Sequence, residues 1–370
     1  MYLTTLNLFT FRNYRRQELT FHPRINIFSG LNAQGKTNLL EAVYFLTVSR
    51  SFRTNQESDL PSFGSDSFSL KGALQKKGER SGIELYYRVS RALRIVLNGK
   101  TVPRSEYIYR HPVVIFTPDD LLLIKEGPAR RRRFLDTEGS RLKPLYLRRL
   151  RDYSRVLRQR NRVLKERRSG RIVDYSPMEP WDEALVKLGG IIVRERIKLL
   201  EALQTQARPH YGALSGGGES LSLHYRPTIK YGDDPAFIEQ SFQEQLREGY
   251  RTELRTGSTM TGPHLDDFAV TINGVDARKF ASQGQQRSVV LSLKIGEVEL
   301  FKKTGEETIL LLDDIFSEFD EKRSAHLLQF LSEREGQSFI TTASPQWAGG
   351  GRRLRRARAF SVHGGKIRID

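Results

Sequence analysis

The sequence contains no cysteine in its 370 residues. That absence excludes disulfides, zinc–thiolate sites and iron–sulfur clusters. No apolar run approaches the ~20 residues of a membrane-spanning helix. The opening MYLTTLNLFTFRNYRR alternates like a strand and lacks the charged head and cleavage site of a secretory leader. A cytoplasmic protein without a membrane partner is the simplest expectation. Acidic residues are also scarce, with 43 Asp+Glu against 61 Lys+Arg, a net charge of +18. Such an excess points to a polyanionic partner, nucleic acid or an acidic membrane surface. It is unevenly placed: residues 130–171 hold 17 Lys+Arg and 4 Asp+Glu, so this segment carries most of the excess. A solvated helix face usually mixes signs through i,i+4 pairs, and this one scarcely does. Arg130, Arg131, Arg132, Arg133, Arg148, Arg149, Arg155, Arg158 and Arg162 are therefore the candidate contacts to that partner, DNA phosphates if it is nucleic acid.

What is present divides the chain into three parts. Residues 1–125 read as mixed α/β, with strand patterns at 2–11, 25–28, 67–74, 83–89, 93–97 and 113–116. Residues 126–258 read as a basic helical lobe. One stripe runs through Tyr146, Leu150, Tyr153, Leu157 and Leu164, and a second through Trp181, Leu185, Leu188, Ile192, Leu199 and Leu203. Gly189-Gly190 argues against the second stripe forming one continuous helix. SGRIVDYSP (169–177) is the expected connection, and LSGGGES (214–220) a flexible loop. From 259 to 370 the α/β pattern returns.

Gly30 to Thr37, GLNAQGKT, fit the G-x-x-x-x-G-K-[ST] phosphate-binding loop, between a strand-like INIFS and an apolar helical pattern. Gly30 and Gly35 permit backbone angles that bring N–H groups of Leu31, Asn32, Ala33 and Gln34 toward phosphates at a helix N-terminus. Lys36 would reach the β- and γ-phosphates of ATP, and Thr37 would ligate Mg²⁺. About 270 residues later, Ile309–Leu312 leads into Asp313-Asp314, the form of a Walker B strand. Asp313 would hold Mg²⁺ and Asp314 would orient or deprotonate the attacking water. Just upstream, Ser282, Gln283, Gly284 and Gln285 have the position of the ABC signature, and Ser317 to Asp320 that of the D-loop. The order predicts an ABC-type P-loop head built from both chain ends, with the helical lobe inserted.

These motifs, with FRNY (11–14), SRSFR (49–53), FTPDDLLLIKEGPARRRRFLD (116–136) and TGPHLDDF (261–268), resemble the RecF family of the ABC/SMC superfamily over nearly the whole chain. The resemblance implies an ATP-dependent homodimer that binds DNA and, with RecR and RecO, helps load RecA at gaps. Repair, recombination, replication and the SOS response are the implied processes. It assigns Arg12 and Arg53 to phosphate or DNA contact, and Ser282 and Gln285 to ATP across a dimer. Departures from the general ABC pattern suggest weak, switch-like, DNA-stimulated hydrolysis. Asp314 stands where most ABC enzymes place Glu, no glutamine appears near 113–118, and Thr341 or Thr342 occupies the region of the switch histidine. A transporter ATPase subunit would explain the motifs but not the basic lobe. An SMC-type organiser would need far longer heptads, and a P-loop nuclease would need a metal site at HLDD (264–267).

Overall fold

The computed structural model describes residues 1–169, 178–232, 234–343 and 357–370. All but the first residue of the connection expected at 169–177, and most of GGGRRLRRAR (349–358), lie outside the described residues. In chain order come β1 (Tyr2–Phe11), β2 (Tyr14–Thr20), β3 (Ile25–Ser29) and α1 (Lys36–Val48). A meander follows through β4 (Ser67–Lys76), β5 (Glu79–Arg88), β6 (Arg91–Leu97) and β7 (Lys100–Val102), then α2 (Arg104–Tyr107), β8 (Val113–Phe116) and α3 (Leu122–Lys125). The middle holds α4 (Pro128–Leu142), α5 (Pro144–Arg168), α6 (Glu179–Ser215), β9 (Leu221–Arg226) and α7 (Pro235–Thr256). Next are β10 (Asp267–Ile272), β11 (Val275–Asp276), α8 (Ala277–Phe280) and α9 (Gln283–Lys303). The chain closes with β12 (Ile309–Leu312), α10 (Glu321–Glu333), β13 (Ser338–Thr342), β14 (Ala357–His363) and β15 (Lys366–Ile369).

Two compact units result. The first gathers Met1–Asp120, Ala213–Gly216 and Val290–Asp370, so both chain ends build it. Its inner sheet has the order β15-β14-β3-β13-β12-β8, parallel throughout except for β15. INIFS, ILLL and SFITT form its middle because their side chains are buried nearly without interruption, as strands covered on both faces require. The second sheet, β2-β1-β4-β5-β6-β7, is antiparallel. Helix α1 touches both sheets, and Leu39, Leu40, Val43, Phe45 and Leu46 are completely buried. Every residue of α1 from Leu39 to Val48 is buried, so the helix leaves almost no face for water.

The second unit comprises Leu121–Gly212 and Gly217–Val289. The expected boundary at 258/259 lies inside it, because β10 pairs antiparallel with β9 from Asp267↔Arg226 to Ile272↔Leu221. The long helices show why some local signals misled. Helix α6 runs unbroken through Gly189 and Gly190, a pair that weakens the local case for one continuous helix. A Cβ on Gly189 would lie 2.5 Å from Phe242 of α7, so that glycine permits close packing instead of ending the helix. Helix α7 carries ordinary punctuation: Asp234 accepts from the Ala236 N–H, Pro235 follows, and Gly257 ends it in the left-handed region. Among the described residues no helix is long and apolar enough to cross a membrane.

Candidate functional site

The phosphate loop joins β3 to α1 at the C-terminal edge of the inner sheet. Gly35 caps α1 at φ 116°, and a Cβ there would lie 2.5 Å from Asn13. A Cβ on Gly30 would strike the Val362 carbonyl oxygen at 2.3 Å, so only glycine lets the loop pass β14. The Lys36 Nζ donates to the carbonyl oxygens of Gly30 (2.7 Å) and Leu31 (2.8 Å), folding over its own loop. Burial lowers its pKa, while Asp314 and Asp313 act in the opposite direction. Such a lysine gains from a polyphosphate that restores its lost solvation.

Thr37 and the two aspartates meet across the sheet. The Thr37 hydroxyl donates to Asp313 Oδ1 at 3.0 Å, joining positions 276 residues apart. Thr341 Oγ1, one strand over on β13, donates to the same oxygen at 2.8 Å and accepts from the Asp314 N–H at 2.9 Å. Burial raises the Asp313 carboxyl, and the hydroxyls of Thr341 and Thr37 oppose the rise. Asp314 sits in the left-handed region at φ 50°, an uncommon angle that aspartate tolerates better than most residues. Thr37 and Asp313 thus present one hydroxyl and one carboxylate to the same point, a donor set that suits hydrated Mg²⁺.

FRNY forms the turn between β1 and β2, and this turn braces the loop. The Asn13 side chain donates to the Gln34 carbonyl oxygen (3.0 Å), and Tyr14 OH donates to that of Gly35 (2.9 Å). From the other side, Gly364 N–H donates to Gln34 Oε1 (2.7 Å) and Gly365 N–H to the Gln34 carbonyl (3.1 Å). The Gln34 side chain is therefore held by the β14–β15 turn. Arg12, expected at a phosphate, forms a bidentate pair with Glu41 (2.8 Å for each contact) and also donates to the Asp59 carbonyl (2.7 Å). Glu41 is fully buried on α1 and also receives Ser51 and Arg53, the latter at 3.3 Å. Arg53, expected on DNA, donates as well to Asn38 (2.7 Å) and remains half-exposed. Nothing in the local pattern of α1 marked Glu41 as the anchor of both arginines.

In the second unit the signature starts α9. The Ser282 N–H donates to Gln285 Oε1 (2.8 Å), and the Gln285 N–H donates to Ser282 Oγ (3.2 Å). This reciprocal pair is a capping box, legible in hindsight as S-x-x-Q before an apolar helix. The basic segment divides by burial. Arg148, Arg155, Arg158 and Arg162 are exposed, as is Arg133, whereas Arg149 is half-buried. Arg162 pairs with Glu166, Arg155 lies 3.9 Å from Asp152, and Arg130 pairs with Glu126. Arg132 donates to the Asp266 carbonyl at 2.8 Å. Arg131 is the exception to the expected DNA surface. It is buried, forms two bonds to Asp267 (2.7 and 2.8 Å) and donates to the Glu126 carbonyl. It belongs to the interior because leaving Asp267 unpaired there would be costly.

TGPHLDDF is likewise interior architecture. His264 meets Tyr153 OH through Nδ1 (2.8 Å) and the Thr259 carbonyl through Nε2 (3.2 Å), and burial lowers its pKa. Asp266 accepts from Tyr225 OH (2.6 Å) and Thr228, while the Pro263 carbonyl accepts from fully buried Arg196 (2.6 Å). Arg196 also pairs with Asp136 at 2.7 Å. Among the described residues no cluster of His, Asp and Glu could hold a metal, HLDD included.

A strand–glycine loop–helix, a facing Walker B strand and a signature-capped helix define an ABC-type P-loop head with an inserted helical unit. The family model for the RecF/RecN/SMC N terminal domain matches residues 2–360. The DNA replication and repair protein RecF of Streptococcus equi subsp. zooepidemicus (strain MGCS10565) is 40% identical over 345 residues, 93% of this chain and 92% of that protein. RecF of Streptococcus pyogenes serotype M49 (strain NZ131) is 40% identical over the same shares. The solved structure of the recombination mediator protein RecF-ATP in the RecFOR pathway aligns over 100% of this chain and 99% of its own, at 34% identity and TM-score 0.89. An Smc head bound to the C-winged helix domain of ScpA aligns at TM-score 0.58 and 15% identity over 100% of this chain and 97% of its own, a likeness of fold alone. The chain belongs to the RecF family.

Proposed function

We propose that this chain is a cytoplasmic, ATP-dependent DNA-binding protein of recombination, repair and replication, which dimerises around ATP and hydrolyses it slowly. The observation that carries this reading is the convergence of Thr37, Asp313 and Thr341 behind a complete phosphate loop. The names of its relatives support the repair setting and the nucleotide. With ATP bound, the loop N–H groups and Lys36 would cradle the phosphates, and Lys36 would exchange its two carbonyl contacts for phosphate oxygens. Thr37 and Asp313 would hold Mg²⁺, which neutralises phosphate charge. Asp314 would orient the attacking water. Being one methylene shorter than glutamate, and standing where Thr341 supplies no imidazole, it suits a nucleotide switch more than a motor.

In the same reading Ser282 and the N–H groups that open α9 meet the γ-phosphate of a second copy. The exposed arginines Arg133, Arg148, Arg155, Arg158 and Arg162, with half-buried Arg149, take DNA phosphates. RecR is the direct protein partner, with RecO and RecA downstream. Sedimentation with ATP, with ADP and without nucleotide tests the reading. We expect dimers with ATP only, retention on duplex DNA, and monomers for Ser282→Arg under every condition. Equal dimer content with ADP and ATP would overturn it.

A further inference from the structure

LSGGGES (214–220), expected to be a flexible loop, instead presents one carboxylate to the signature. Gly217 N–H closes a turn on the Gly212 carbonyl at 2.8 Å, with Gly217 at φ 84°. On the far side Ser220 and Asn273 exchange two bonds: Ser220 N–H to Asn273 Oδ1 (2.7 Å) and Asn273 N–H to the Ser220 carbonyl (2.9 Å). Between these anchors stands Glu219, half-buried. Its Oε1 accepts from the Gln285 side-chain Nε2 at 2.7 Å, and its Oε2 accepts from Tyr211 OH at 2.6 Å. Tyr211, near the end of α6, is completely buried and so gives the carboxylate a rigid mooring.

We propose that Glu219 is the positioning residue of the signature, holding Gln285 as a helix cap so that Ser282 is presented to the partner's nucleotide. The chemistry of the amide carries the argument. Gln285 has one oxygen, taken by the Ser282 N–H, and its NH₂ group is engaged by Glu219. A glutamine so held does not reach for phosphate. It fixes the backbone of Ser282, whose hydroxyl accepts from the Gln285 N–H and keeps its own hydrogen to donate to an anion. A free carboxylate beside the signature would repel phosphate, and here both oxygens are occupied by donors, Gln285 and Tyr211. Glu219 therefore acts through Gln285 and touches no nucleotide.

The proposal rests on SQGQQ being a signature that acts in trans, and the test separates the two ideas. Glu219→Ala, Glu219→Gln, Ser282→Arg and wild type are compared by ATP binding at concentrations where the protein is monomeric, by sedimentation with Mg·ATP, and by melting temperature. Losing a charge-assisted hydrogen bond at the contact should weaken ATP-dependent dimerisation of Glu219→Ala by roughly tenfold. Monomer ATP binding and the melting temperature should stay as in wild type. Glu219→Gln keeps an oxygen to accept from Gln285, and Tyr211 OH can accept from its NH₂ group, so it should restore most of the dimer. If Ser282→Arg abolishes dimers while Glu219→Ala dimerises like wild type, the positioning role is overturned and the signature reading stands. If Ser282→Arg itself dimerises normally, the signature reading falls, and this proposal with it. A Glu219→Ala protein that melts early or no longer binds ATP as a monomer would show a merely structural role and equally overturn the proposal.

Discussion

Lys36 and Asp314 lie in one site but are held by different forces, and their substitutions should separate accordingly. Lys36 is a desolvated ammonium resting on two carbonyl oxygens, so Lys36→Ala should abolish tight ATP binding in equilibrium titration. Asp314→Asn keeps its backbone bond to Thr341 and should bind ATP nearly as wild type while hydrolysing it roughly a hundredfold more slowly, the lower range for general-base loss. Hydrolysis at the wild-type rate would remove Asp314 from the chemistry. His111 makes a prediction about stability. Its ring is buried edge-on against Tyr107, its Nε2 has no hydrogen-bond partner among the described residues, and burial lowers its pKa to about 4. The unfolded chain takes up that proton near pH 6.5, so the unfolded state binds more protons between the two values. The His111 contribution is therefore complete above pH 6.5 and is lost as the pH falls toward 4, by roughly 3 kcal/mol in total. Buried His264 tilts the curve the same way, so the comparison is wild type against His111→Phe, whose unfolding free energy should depend less on pH. Parallel curves would acquit His111.

Helix α6 shows how one element answers to its neighbours. Replacing glycine by alanine inside a helix ordinarily gains ~1 kcal/mol. At Gly189 the new methyl would meet Phe242 at 2.5 Å and Tyr153 at 3.2 Å, both well packed. Overpacking of that kind costs ~1–3 kcal/mol, so Gly189→Ala should be destabilised by about 1 kcal/mol in urea unfolding. At Gly190 the nearest atom is Glu239 Cγ at 3.0 Å, on a side chain free to swing. Gly190→Ala should be neutral or slightly stabilised. The reverse order would mean that propensity, not the α6–α7 contact, governs this helix.

At the scale of the molecule, the proposed DNA surface and the buried ion pairs divide the arginines between them, and salt dependence distinguishes the two. Arg148, Arg155 and Arg158 are exposed on α5. Replacing all three by alanine should weaken duplex binding on every sequence and flatten the log–log salt slope by up to ~0.9 per lost phosphate contact, with melting unchanged. Arg131→Ala should instead lower stability by roughly 1.5–3 kcal/mol through the loss of its charged hydrogen bonds to half-buried Asp267. An unchanged salt slope in the triple variant would move the DNA surface off α5. The two chain ends meet in the first unit because β3, carrying the phosphate loop, lies between β13 and β14. Neither half of the sequence can complete the sheet alone.

Much of this was legible in the residues themselves. GLNAQGKT between an apolar strand and an apolar helix is a local device, fixed by glycine angles and a helix N-terminus within eight residues. ILLLDD announces a doubly covered strand ending in carboxylates. Tertiary structure alone decided which partner each polar group took. Arg131 looked like its exposed neighbours until Asp267, 136 positions away, claimed it. Arg12 and Arg53 share the buried Glu41 of α1, a partner that neither FRNY nor SRSFR announces. Gln285 donates to Glu219, 66 positions away. Hydrophobic period and turn chemistry are written over a few residues, whereas a buried charge is satisfied by whichever opposite group the fold brings within 3 Å, and no local pattern encodes that distance.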